Sequence, residues 1–179
     1  MVNEKLLRSN ITVLAAYPEA FKDPAKPTAA ELNNQFVYGT KEGAMVFNIS
    51  CAIADDGYTA NKTDSETDDS RTICTVGQQQ NPTFVQYEVS FDGFRDNNVT
   101  DASTYNMFLD LFKAPDVPFW IISRVGKNNT EPFAIGDDIK MFGVNTDNPI
   151  DIVDSNAMMK LGARFKATGE LNFNYRIAA

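Results

Sequence analysis

The sequence predicts a mainly β or α+β fold, a β-sandwich or rolled sheet with one principal flanking helix. Three observations carry that expectation. Val85, Tyr87, Val89 and Phe91 alternate with Gln86, Glu88, Ser90 and Asp92, and a period of two marks a half-buried strand. Tyr105, Phe108, Leu109 and Phe112 then recur at three- and four-residue spacing behind Ser103, an N-cap residue type, which predicts a helix over 103–114. Near the C-terminus two further alternations, Met159 to Ala167 and Leu171 to Ile177, flank Thr168 and Gly169, the pattern of a hairpin that closes a sheet.

The remaining elements follow in chain order. Thr12 to Tyr17 is a short apolar run, a strand or an extended arm. Proline at 18, 24 and 27 keeps the next segment extended. Thr28 precedes Ala29, Ala30, Glu31 and Leu32, which suits one capped helical turn. Residues 1–33 thus read as an N-terminal arm, and 34–179 as a single sandwich domain. Gln35 to Tyr38 and Ala44 to Ala54 are β-rich, and in the second of these Phe47, Ile49, Cys51 and Ile53 are expected on the core face. Arg71 to Val76, Phe119 to Val125 and Ile139 to Val144 read as strands. Pro115 and Pro118 lack the amide a continuing helix needs, so the helix stops near Ala114.

Composition narrows the function. At 179 residues with 43% hydrophobic content, the chain supports one domain with a real core. Its 24 acidic and 16 basic residues give a net charge of −8, which disfavours a groove that grips phosphate backbones. Histidine is absent, which removes the usual general base near neutral pH and the commonest metal ligand. No apolar run is long enough to span a bilayer, and the N-terminus lacks the pattern of a signal peptide. Folding in a cytoplasm is therefore expected, with Cys51 and Cys74 as reduced thiols or one bridge. The five Asn-x-Ser/Thr triplets, at Asn10, Asn48, Asn61, Asn98 and Asn128, then have no glycosylation role.

The most polar stretch carries Asp55, Asp56, Asp64, Glu66, Asp68 and Asp69 against Lys62 alone. Such a segment cannot bury itself, so 55–82 is expected to be an exposed loop or a long hairpin. A calcium loop starting at Asp64 would place Asp69 where glycine is needed and Thr75 where glutamate is needed. A glycosidase pair lacks a nearby apolar pocket to raise one carboxyl. No phosphate loop, dinucleotide fingerprint or nucleophile elbow is present. The reading is therefore no catalytic residues, no cofactor and no metal.

The runs Pro27 to Asn33, Ile49 to Thr59 and Asp64 to Arg71 resemble the major tail proteins of long, non-contractile-tailed phages of actinobacteria. Tyr87 to Phe91 with Phe94, Arg95 and Asp96, and Leu111 to Pro118 leading into Phe119 to Gly126, are similar in the same order. The extra Gly57 is a departure from that pattern. The resemblance implies a tail tube subunit that forms six-membered rings, stacked into a conduit for the genome. It implies as partners further copies of itself, the tape measure protein and other tail proteins, with DNA passing through without specific binding. Assembly in the bacterial host cytoplasm and residence in the virion tail follow from it. The subunit interface is expected at Pro27, Thr28, Glu31, Asp55, Asp56, Tyr58, Asp64, Glu66, Asp68 and Asp69. The alternatives are another tail or head-to-tail joining protein, or a carbohydrate-binding sandwich with Trp120, Tyr58 or Tyr105 as stacking residues.

Overall fold

The structure, a computed structural model, describes residues 10–37, 43–64, 66–68, 81–98, 100–153 and 158–177. Among them are ten strands and one helix longer than a turn. β1 (Ile11–Ala16), β2 (Val46–Asn48), β7 (Pro118–Val125), β8 (Asp138–Thr146) and β10 (Lys160–Arg176) make the first leaf of a curled sheet. β6 (Tyr87–Phe94) and β3 (Ile53–Lys62) continue it as a second leaf, in the order β2-β1-β7-β8-β10-β6-β3, with β9 (Ile150–Ile152) on the other side of β10 from β6. All the strand pairs are antiparallel.

β10 is the strand that curls the sheet. Its first residues, Lys160 to Arg164, pair with β6, and from Phe165 to Arg176 it pairs with β8. The hairpin expected around Thr168 and Gly169 does not form. Both alternating runs lie on one continuous strand, and Gly169 (φ 89°) sits in a register shift between Ala167 and Leu171. Glycine at positive φ suits a bulge as well as a turn. Here β8 pairs with the chain on both sides of the glycine, so the strand bends and does not reverse.

The first leaf is buried on both faces. Val13, Ala15, Phe119, Ile121, Phe142 and Val144 face the second leaf, meeting Val89, Phe91, Leu161 and Ala163. Leu14, Ala16, Trp120, Ile122, Ile139 and Met141 face the other way, against Phe21, Leu32 and Phe133. That explains the unbroken apolar runs of β1 and β7, since a strand covered on both sides has no polar face. Thr12 to Tyr17, read as strand or arm, supplies strand β1, which pairs with β2 on one side and β7 on the other.

α2 (Thr104–Phe112) fills the space between the leaves. The Ser103 hydroxyl caps it by accepting the Asn106 amide, as its residue type predicts. Phe112 meets Phe91, Phe108, Phe119 and Phe165 at centroid distances of 5.0–6.5 Å. α1 (Ala29–Leu32) lies on the opposite face of the first leaf, buries Leu32, and is closed by a capping box between Thr28 and Glu31.

Three expectations need correction. The alternation from Val46 to Ile53 is interrupted by a 3₁₀ turn at Ser50–Ala52, so Cys51 is exposed and not in the core. The turn is fixed by Ser50, whose hydroxyl accepts the Val13 amide at 2.8 Å and donates to Asn48 Oδ1. Val85 stands outside its strand and is exposed, because pairing begins at Tyr87. Asp55 to Lys62 is a strand and not a loop. It pairs with β6, and β4 (Glu66–Asp68) pairs with β5 (Asn81–Phe84) in a separate two-stranded ribbon. The strand expected at Arg71 to Val76, together with Cys74 and Asp69, lies outside the described residues.

Candidate assembly surface

The second leaf offers the longest available edge. β3 is its terminal strand, ten residues long, and among the described residues no strand pairs with its outer side. An unpaired edge of this length is a template for another chain unless it is blocked. Asp55 and Asp56 are exposed there, and Lys160 Nζ approaches Asp56 Oδ1 at 3.3 Å. Gly57 lies within the register shift between Ile53 and Tyr58. A Cβ on it would lie 2.6 Å from Asp92 Cβ, so a side chain there would push β3 off β6. The strand pairing thus uses the lack of a side chain at Gly57.

Tyr58 turns inward from this edge. Its ring stacks on Phe91 at 5.7 Å and 8°. Burial pushes its hydroxyl above the ordinary tyrosine value, with a hydrogen bond to Ser123 of β7 acting in the opposite direction. It therefore ties the two leaves together. Asp64 is exposed where the hairpin leaves the sandwich, and Glu66 and Asp68 lie on β4.

The other expected interface residues are on the far side of the molecule. Pro27 is buried. Thr28 and Glu31 engage each other: Thr28 N donates to Glu31 Oε2 at 2.8 Å, and Glu31 N donates to Thr28 Oγ1 at 3.3 Å. Lys22 N donates to the remaining oxygen, Oε1, at 3.0 Å. Burial would raise the Glu31 carboxyl, but these hydrogen bonds and the nearby Lys22 charge hold it below the ordinary value. The expected residues therefore divide between two surfaces on opposite sides of the first leaf.

A third surface had no clear sequence signal. Phe94, Arg95, Asp96, Asn97, Tyr105, Met158 and Met159 line a cleft at the end of the second leaf. Met158 is 73% exposed, and Ile150 and Val153 add further exposed apolar area. Methionine repacks readily against varied partners. The signal available in sequence was the Met158–Met159 pair just before the alternating run.

Of the residues expected as sugar-stacking candidates, Tyr58 and Trp120 are taken up in packing, and Tyr105 is exposed at the cleft. Trp120 is 6% exposed and packs in the cluster beneath α1. Its ring is unavailable to a ligand. Among the described residues, no group of three or more His, Cys, Asp or Glu side chains is placed to hold a metal ion.

A family model described as phage tail tube protein matches residues 1–179. The chain belongs to the phage tail tube protein family. Membership gives a structural role as a component of the virion tail. No curated protein matches the chain. No helix among the described residues is long and apolar enough to cross a membrane. For a tail tube protein, edges, clefts and projecting hairpins are the functional features, because its activity is contact with copies of itself and with other tail proteins.

Proposed function

We propose that this tail tube protein assembles into six-membered rings that stack into the conduit for genome delivery in a long, non-contractile-tailed phage of actinobacteria. The observation that supports the reading best is that β3, ten residues long in a chain of this family, has no strand on its outer side among the described residues. Pairing that edge across copies extends the sheet from β3 and closes it around a lumen. Assembly takes place in the host cytoplasm around the tape measure protein. With a net charge of −8, a lumen of this protein repels phosphates, so DNA slides through without adhering. Asp55, Asp56, Asp64, Glu66, Asp68 and Asp69 belong to ring contacts on the hairpin side. Pro27, Thr28 and Glu31 support the opposite contact by fixing the chain over the first leaf. Tyr58 acts from within, by holding β3 in place.

Negative-stain electron microscopy with light scattering across a range of concentrations tests this. The expected result is rings or hollow tubes of uniform diameter and six-fold end views. A chain that stays monomeric throughout and is absent from virions by mass spectrometry overturns the reading. Rings of another order overturn the six-fold arrangement alone.

A further inference from the structure

One buried hydroxyl crosses from the second leaf into the irregular part of β10. Tyr87, the first residue of β6, is 7% exposed, pairs with Lys62 of β3, and packs its ring against Phe142 of β8 at 5.6 Å. The hydroxyl donates to the backbone carbonyls of Gly143 and Glu170, the latter at 3.0 Å, and accepts the Gly169 amide at 3.1 Å. A phenol has a single proton to give, so the two carbonyls share it while the amide takes a lone pair.

The place it reaches is where the ladder is broken. Ala167 pairs with Val144 and Leu171 with Phe142, so Thr168, Gly169 and Glu170 stand opposite Gly143 alone. The extra residues of a bulge fall outside the ladder, and their amides and carbonyls need other partners. Tyr87 is such a partner for Gly169 and Glu170. Gly143 suits the same arrangement: a Cβ there would lie 2.7 Å from Thr168 Oγ1 and 3.1 Å from the Glu170 carbonyl oxygen. A side chain at this position would lift the bulge off β8.

Between the leaves lies an apolar cluster, and apolar burial favours contact without fixing an angle. Hydrogen bonds are directional. Tyr58 of β3 supplies one such tie, to Ser123 of β7, and Tyr87 of β6 supplies another, to β8 and β10. We propose that the Tyr87 hydroxyl is a latch: it closes the bulge of β10 over Gly143 and thereby holds the β3–β6 pair at one angle on the first leaf. Because β3 carries the edge assigned to contact between copies, the latch sets how that edge is presented. This last consequence rests on the assembly reading above, whereas the closing of the bulge does not.

Tyr87→Phe tests the latch, since the ring and its packing stay while the hydroxyl goes. Gly143→Ala, which keeps Tyr87 and pushes the bulge outward, is the second variant. Ser103→Ala, which loses the α2 cap, is the control for general destabilisation. Hydrogen exchange is followed in the dilute full chain. In both latch variants the Gly169 amide is expected to exchange roughly fivefold or more faster than in wild type, beyond any acceleration in the control, while the β1–β7 ladder keeps its protection. Exchange at Gly169 that rises no more than in the control overturns the latch. By electron microscopy of the assembled chain, both latch variants are expected to give a wider spread of ring or tube diameters than wild type and control. A spread equal to that of wild type, with Gly169 released, overturns the link from bulge to edge. A wild-type chain that never assembles removes the tube reading, and the exchange result still decides the latch.

Discussion

The first leaf and the long hairpin are built from strands of similar length and opposite chemistry. Phe119 to Arg124 of β7 are all buried, because α1 and the loops cover one face and the second leaf covers the other. β3 and β6 have one covered face only: Ala60, Val89 and Phe91 are buried, while Asp55, Asn61 and Glu88 are exposed. The difference separates two tasks. The doubly covered leaf supplies the burial that keeps the chain folded, and the singly covered hairpin carries the edge and charge available for contact with other copies.

The comparison is sharpest at Arg124, which is 1% exposed in the first leaf. Its Nη1 donates to Asp137 Oδ2 at 3.1 Å and to the Pro132 carbonyl at 3.0 Å. Nη2 donates to Thr12 Oγ1, Asn128 O and Glu131 O at 2.8–3.1 Å. The guanidinium also lies 4.2 Å from the Phe133 ring centroid. One buried cation thus organises the whole connection from β7 to β8. Burial would raise the Asp137 carboxyl, but hydrogen bonds from Lys127, the Ala134 amide and Arg124 hold it below its ordinary value.

The largest expected effect is in the doubly covered region. Phe112→Ala should lower stability by about 3–5 kcal/mol, since it empties the centre of an aromatic cluster. Denaturant unfolding measures this, and a loss under about 1 kcal/mol would mean that the leaves close over the gap. Arg124→Ala should cost about 3 kcal/mol by removing the buried donor that Asp137 and the Pro132, Asn128 and Glu131 carbonyls share, although Asp137 keeps Lys127. Hydrogen exchange should then show faster opening of residues 126–137, and unchanged protection there would sink the assigned role.

Acid should act on the same centre. The Asp137 carboxyl is depressed on folding, so its contribution is fully present above about pH 4, its ordinary range, and fades as pH falls towards the folded value. Stability should therefore decline below about pH 4, and less steeply in Asp137→Asn. Equal slopes in the two proteins would assign the acid sensitivity elsewhere. Ser103→Ala should cost about 1 kcal/mol through loss of the α2 cap, with Ser103→Thr largely restoring it, since its hydroxyl can also keep the bond to Asp96. At the other end of the comparison, Asn61→Ser on the exposed face of β3 should change stability by no more than about 0.5 kcal/mol. A larger loss in the isolated monomer would show that the hairpin face also supports the fold.

Much of this was legible in the chain because local periods report local geometry. The alternation from Tyr87 gave β6, the three- and four-residue spacing gave α2, and Ser103 and Thr28 gave their caps. The acidic stretch marked the face that stays in water. Arg124 was hidden, because a single charge in an apolar strand reads the same whether it snorkels to solvent or sits at the centre of a loop. The Tyr87 latch was hidden for a related reason: its members are far apart in sequence and meet only when β6, β8 and β10 are in register.

By itself the sequence determined the kinds of element, their order, the charge of the exposed face and the resemblance to tail tube proteins. The tertiary structure alone decided that Gly169 bends a strand and does not reverse it, that Tyr58 points inward, and which backbone groups meet the Tyr87 hydroxyl. A glycine permits a turn or a bulge equally. The choice between them lies with β8, which pairs with both sides of β10 and rewards the continuous strand with ladder hydrogen bonds along both halves.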